Sequence, residues 1–252
     1  MPDEITGKEL DPEVARDLLS LSGPMATAVS RHLVAAGALI DIDPATAYRH
    51  AKAAARRAGR VAVVREAAGL TAYRAGEYAD ALKELRAHRR MTGSGEHLPV
   101  MADCERGLGR PQRALEIAAD PALDRQPVEV RAEMRIVAAG ARQDLAQPEA
   151  ALVTLQGSEL SRQRSTAWWA RLATAYADAL QALGRDEESA QWLRRAADSD
   201  PDGSSGAAER LGLAAGSDEA WDADVIWQED AVDTAVPSHR GPGEAATQPS
   251  SD

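Results

Sequence analysis

The chain has no phenylalanine and no asparagine, and only 4% of its 252 residues are aromatic. A core of large rings is therefore excluded. Its single cysteine, Cys104, rules out an intramolecular disulfide and a thiolate metal cage, both of which need several sulfurs. Cys104 is expected to be a small buried hydrophobe. Nowhere do about 18 apolar residues run together, so no membrane span is expected. The first residues, MPDEITGKELDPEV, are acidic and show no basic stretch leading into an apolar one. A cytoplasmic location is expected on that ground.

Signals of catalysis are equally scarce. The five histidines, at positions 32, 50, 88, 97 and 239, do not pair on one helix face around a Glu. No metal and no cofactor are expected. The glycine stretches at 93–97 and 203–206 lack the Lys-Ser or Lys-Thr ending of a phosphate-cradling loop and read as turn and linker. Asp41 and Asp43 could touch a cation, but an Asp directly before Pro44 reads first as a helix amino cap. There is no nucleophile elbow. A protein without chemistry of its own is the expectation.

Alanine fills the space left by these absences: there are 53 of them. Alanine is the strongest helix former and lets backbones approach closely, so a nearly all-helical chain is expected. The net charge of −11 is unevenly placed. Residues 1–197 carry 27 basic and 27 acidic groups, whereas residues 198–252 carry 2 and 13. Within the neutral body, residues 49–90 hold a surplus of seven positive charges.

The chain repeats itself. Small residues at Ala47, Ala81, Ala114, Ala151 and Ser189 are spaced by 34, 33, 37 and 38 positions. Twelve residues before each anchor the side chain is again small: Ala35, Gly69, Ala102, Ala139 and Ala177. Five before it stand Ile42, Gly76, Gly109, Ala146 and Gly184, where glycine suits a left-handed helix end. Three before it come Pro44, Tyr78, Pro111, Pro148 and Asp186, and proline suits a first helical turn. Four after it come Ala51, Leu85, Ala118, Leu155 and Leu193, one turn along the same face. Each unit thus reads as two antiparallel helices, too small to bury its own apolar face and in need of neighbours.

On these residues the chain resembles the tetratricopeptide repeat, most clearly in GLTAYRAGEYADALKEL at 69–85 and in YADALQALGRDEESAQWLRRAADSDP at 176–201. The resemblance spans residues 25–201, and it departs from the family in lacking the early Trp and the late aromatic. A longer join around DPALDRQPVE separates units three and four. The Ala- and Arg-rich usage is similar to that of such proteins from GC-rich actinobacterial genomes. The resemblance implies an all-α fold: a right-handed superhelical array of about five helix pairs over 25–201. It would be preceded by a segment with a short helix (1–24) and followed by an acidic tail (202–252).

In this family the first helices of successive units line a groove. By offset, that groove would present His32, Leu39, Glu66, Leu70, Tyr73, Asp103, Arg106, Ile136, Gln143, Arg171, Asp178 and Gln181. Its mixed charge and apolar spots suit a protein or peptide with both kinds of side chain. Glu66, Leu70 and Asp103 would repel or ignore a terminal carboxylate, which disfavours capture of chaperone tails. The arginines Arg31, Arg65 and Arg135, each sixteen residues before an anchor, read as stems covering Ala-rich surface. Arg56, Arg57, Arg60, Arg86, Arg89 and Arg90 form a basic patch near the ends of two second helices. Phosphates reward such clusters, so an accessory role on nucleic acid is the alternative. The neutral body, the acidic tail and the missing aromatic platforms weigh against it.

After about Ala214 too little apolar surface remains to offset chain entropy, and disorder is expected. The segment 217–233 is the exception, since Trp221, Val225, Ile226 and Trp227 sit there among seven acidic groups. This motif is expected either to solubilise the chain or to dock on the basic end of its own repeats or of a second copy. An adaptor that binds a protein or peptide, without a membrane partner, is the resulting expectation.

Overall fold

The computed structural model describes residues 5–200 and 202–213. These residues form thirteen α-helices and no strand: α1 (Pro12–Asp17), α2 (Gly23–Leu39), α3 (Pro44–Ala58), α4 (Ala62–Arg74), α5 (Tyr78–Thr92), α6 (Leu98–Gly107), α7 (Pro111–Ala118), α8 (Val128–Asp144), α9 (Pro148–Leu155), α10 (Ser158–Ser161), α11 (Ala167–Gln181), α12 (Asp186–Ala197) and α13 (Ala207–Arg210). Short 3-10 turns follow α1, at Leu18–Ser20, and α7, at Pro121–Arg125. The second of these lies within the long join. The tail motif at Trp221, Val225, Ile226 and Trp227 lies outside the described residues.

The helices pack as five consecutive pairs: α2 with α3, α4 with α5, α6 with α7, α8 with α9, and α11 with α12. Every second helix starts at the residue three before its anchor, with Pro44, Tyr78, Pro111, Pro148 or Asp186 as its first residue. All five anchors are buried, and so are the five small residues twelve positions earlier. Small side chains on both surfaces let each pair close to short range.

Four of the five intra-pair turns share one hydrogen-bond pattern. Glu77, Arg110, Gln147 and Arg185 each donate their backbone N–H to the carbonyl five residues back, on Ala72, Glu105, Arg142 and Leu180. This is the six-to-one bond of the Schellman end, and it requires a left-handed residue just before the donor. Gly76, Gly109 and Gly184 supply it with φ of 76°, 72° and 71°. In the fourth turn Ala146 does so with φ of 56°, the only non-glycine at positive φ among the described residues. The first turn differs. Ile42 and Asp43 both donate to the Leu39 carbonyl, and the Asp43 side chain caps α3 by accepting from the Thr46 N–H at 3.0 Å.

Apolar burial is segmented along the chain. Leu18, Val29, Leu33 and Val64 form one cluster, Leu82, Leu85, Leu98, Met101 and Met134 a second, and Leu155, Trp169, Leu172 and Leu180 a third. Cys104 is fully buried in the second cluster, and burial pushes its thiol up to about 12. Beyond the pairs, the first helices pack on one another in chain order: α2 on α4, α4 on α6, α6 on α8 and α8 on α11. No helix among the described residues is long and apolar enough to cross a membrane.

Candidate binding groove on the first helices

Three of these first helices, α4, α6 and α8, meet around a concavity of about 500 Å³. Its apolar lining comes from Leu70 and Tyr73 on α4, Pro99 and Val100 on α6, and Val130 and Val137 on α8, with Ile40 at the end of α2. Glu96, Asp103, Glu129 and Glu133 bring carboxylates to it, and Arg74 one cation. The acids outnumber the base four to one.

A chain of polar contacts ties these helices together. Tyr73 donates its hydroxyl to Asp103 Oδ2 at 2.7 Å, Asp103 Oδ1 accepts from Arg106 Nη1 at 2.9 Å, and Arg106 Nε donates to Asp144 Oδ2 at 2.8 Å. Burial raises the Tyr73 hydroxyl, and the bond to Asp103 adds to it, so Tyr73 stays a donor. At Arg106 burial works against the charge, but the bond to Asp144 outweighs it and keeps the guanidinium charged. Further along, Arg171 on α11 holds Glu133 on α8 through Nε at 2.7 Å, and Arg210 on α13 holds Asp178 on α11 at 2.5 Å. Glu96 and Glu129 have no ion-pair partner among the described residues.

The residues placed in a groove by offset therefore divide. Leu70, Tyr73 and Asp103 line the concavity. Arg106 and Arg171 act as clasps between helices of neighbouring pairs, Asp178 ties α11 to α13, and Gln143 and Gln181 stand exposed. Glu66 is half-buried and faces His97, whose Nε2 lies 2.6 Å from its Oε1. That bond holds the Glu66 carboxyl below its usual range, against the opposing effect of burial. Offset alone misses Val100, Glu129, Val130 and Val137.

The six arginines of the basic patch line two separate concavities. Arg56, Arg57 and Arg60 border one with Leu21 and Val61; Arg86, Arg89 and Arg90 border another with Met101 and Ile117. Arg86 is engaged by Glu105 at 2.6 Å and Arg89 by Asp120 at 2.7 Å. The arginine series before the anchors is likewise satisfied locally: Arg31 donates to the Ile5 carbonyl, Arg65 pairs with Glu84, and Arg135 donates to the Gln156 carbonyl and pairs with Glu159.

The histidines are brought together in a way their spacing hides. His32 and His50 face each other with Nδ1 atoms 3.1 Å apart, and His88 and His97 have ring centroids 5.3 Å apart. The stretch at 93–97, legible only as a turn, delivers His97 to Glu66. No family model matches the chain and no curated protein matches it, so the geometry of the concavity carries the functional reading.

Proposed function

We propose that the protein is a non-catalytic interaction scaffold whose helix pairs stack into a right-handed superhelical array of the tetratricopeptide type. Segmented burial and first helices packed in chain order support the array, since a single central core would mix distant parts of the chain. The observation that carries the function is the concavity shared by α4, α6 and α8, lined by apolar side chains and four carboxylates. Its partner is a protein or peptide segment with one or two large apolar side chains flanked by Lys or Arg. Asp103 and Glu133 are already neutralised by Arg106 and Arg171. Glu96 and Glu129 are left to meet the partner's cations. The Arg patch is a weaker candidate for nucleic acid, because it is split in two and its charge is partly spent on Glu105 and Asp120.

Fluorescence anisotropy with short basic amphipathic peptides tests this. Leu70→Arg and Val130→Arg place a cation inside the concavity and should each weaken binding at least about tenfold, equivalent to ~1.4 kcal/mol. Val153→Arg, on an exposed position of α9, should leave it unchanged. Deleting 217–233 should tighten binding if the tail competes for the same surface. Equal affinity of Leu70→Arg, Val130→Arg and the parent chain would overturn the groove.

A further inference from the structure

The geometry points to a divalent-metal site, best suited to Zn²⁺, formed by Glu66 on α4, His88 on α5 and His97 at the start of α6. One ligand atom from each of the three residues lies within 4.8 Å of the other two. Tetrahedral zinc, with bonds of about 2.0–2.2 Å, holds neighbouring donors about 3.3 Å apart. Small side-chain rotations close the longer separations and open the 2.6 Å contact between Glu66 and His97. Two imidazoles and one carboxylate form a donor set that zinc takes with a fourth position left to water.

A hydrogen bond accounts for Glu66 and His97 but not for His88. His88 is 7% exposed, and among the described residues its ring makes no hydrogen bond. Its nitrogens are thus available to a cation. The site is also preorganised. Gly93 turns the chain out of α5 with φ of 71°, and Leu98 donates to the Gly95 carbonyl, so the loop delivers His97 directly onto α4 and α5. A bound ion would clip the second helix pair to the third. This site stands independently of the peptide groove.

The test is calorimetric titration of the full chain, freed of any polyhistidine tag, with zinc chloride near neutral pH. One equivalent should bind and raise the melting temperature. Glu66→Gln and His97→Gln should each weaken binding by more than the roughly 10–100-fold typical of outer-shell changes. His32→Gln, which breaks the other histidine pair, should leave binding unchanged. Circular dichroism establishes that each variant is folded, and Co²⁺ absorbance should show tetrahedral bands in the parent that vanish in Glu66→Gln. No zinc binding by the parent, binding untouched by Glu66→Gln and His97→Gln, or binding lost in His32→Gln would each overturn the site.

Discussion

Adding one methyl group at Gly69 tests how closely the helix pairs approach. A Cβ there would lie 2.6 Å from both Cγ and Cδ2 of Leu85 and 3.3 Å from the Leu85 backbone nitrogen. Carbon atoms rest about 3.5–4.0 Å apart, so Leu85 or α4 must shift by roughly 1 Å. Leu85 is fully buried in the middle cluster. Overpacking of this kind costs about 1–3 kcal/mol. Alanine regains about 0.5–1 kcal/mol of helix propensity, so Gly69→Ala should destabilise by a net of up to ~2.5 kcal/mol. In a chain of this length that lowers Tm by up to about 10 °C, read by circular dichroism during thermal and urea unfolding. Gly37, exposed on α2 with nothing within 4 Å of its Cβ position, is the control. Gly37→Ala should stabilise. The sign of the Gly69 effect should also reverse once Leu85→Ala removes the blocking atoms, although that change alone costs about 2–5 kcal/mol. A stabilising Gly69→Ala in the parent chain would refute the close approach of α4 and α5.

Two further outcomes follow from local geometry. Ala146→Gly should stabilise by about 1 kcal/mol, because an L-residue pays that much for the left-handed conformation that glycine adopts freely; a lower urea midpoint would contradict the shared turn. Acidification should destabilise. Burial lowers His32, His50 and His88 from 6.5, with His50, Arg57 and Arg31 facing His32, Arg49 facing His50, and at His88 Glu66 and Glu96 opposing the shift that His97 reinforces. The unfolded chain then binds more protons, so this contribution is complete above the unfolded value and is lost as pH falls through 6.5 toward the folded values. Urea midpoints at about pH 7.5 and about pH 5.5 should differ, since unperturbed histidine titrates between them, and a His32→Gln/His50→Gln double variant should narrow the gap.

The local grammar of this protein was legible in its residues. Proline at the first turn, glycine at the left-handed end and small side chains at the contacts each act through their own backbone or radius, so spacing alone located the five second helices. Offset placed Ala146 and Ile42 at the same turn position, but it did not tell that Ala146 takes a positive φ and Ile42 does not. The groove was only partly legible. Leu70, Tyr73 and Asp103 could be placed there, but whether Arg106 or Arg171 offers its charge to a ligand or spends it on Asp144 or Glu133 depends on which helix packs next to it.

What sequence by itself determined is where the second helix of each pair starts and where the turn before it falls, because those choices are settled within a few residues by dihedral preference and capping. Tertiary structure decided which distant side chains meet. Glu66 and His88 lie on two helices and His97 caps a third, and no periodicity links them; only packing of the second pair against the third brings their donor atoms within 4.8 Å. Packing likewise divided the Arg patch and gathered the apolar positions of α4, α6 and α8 around one concavity. Contact between residues far apart in the chain is a property of how surfaces fit, and spacing along the chain does not encode it.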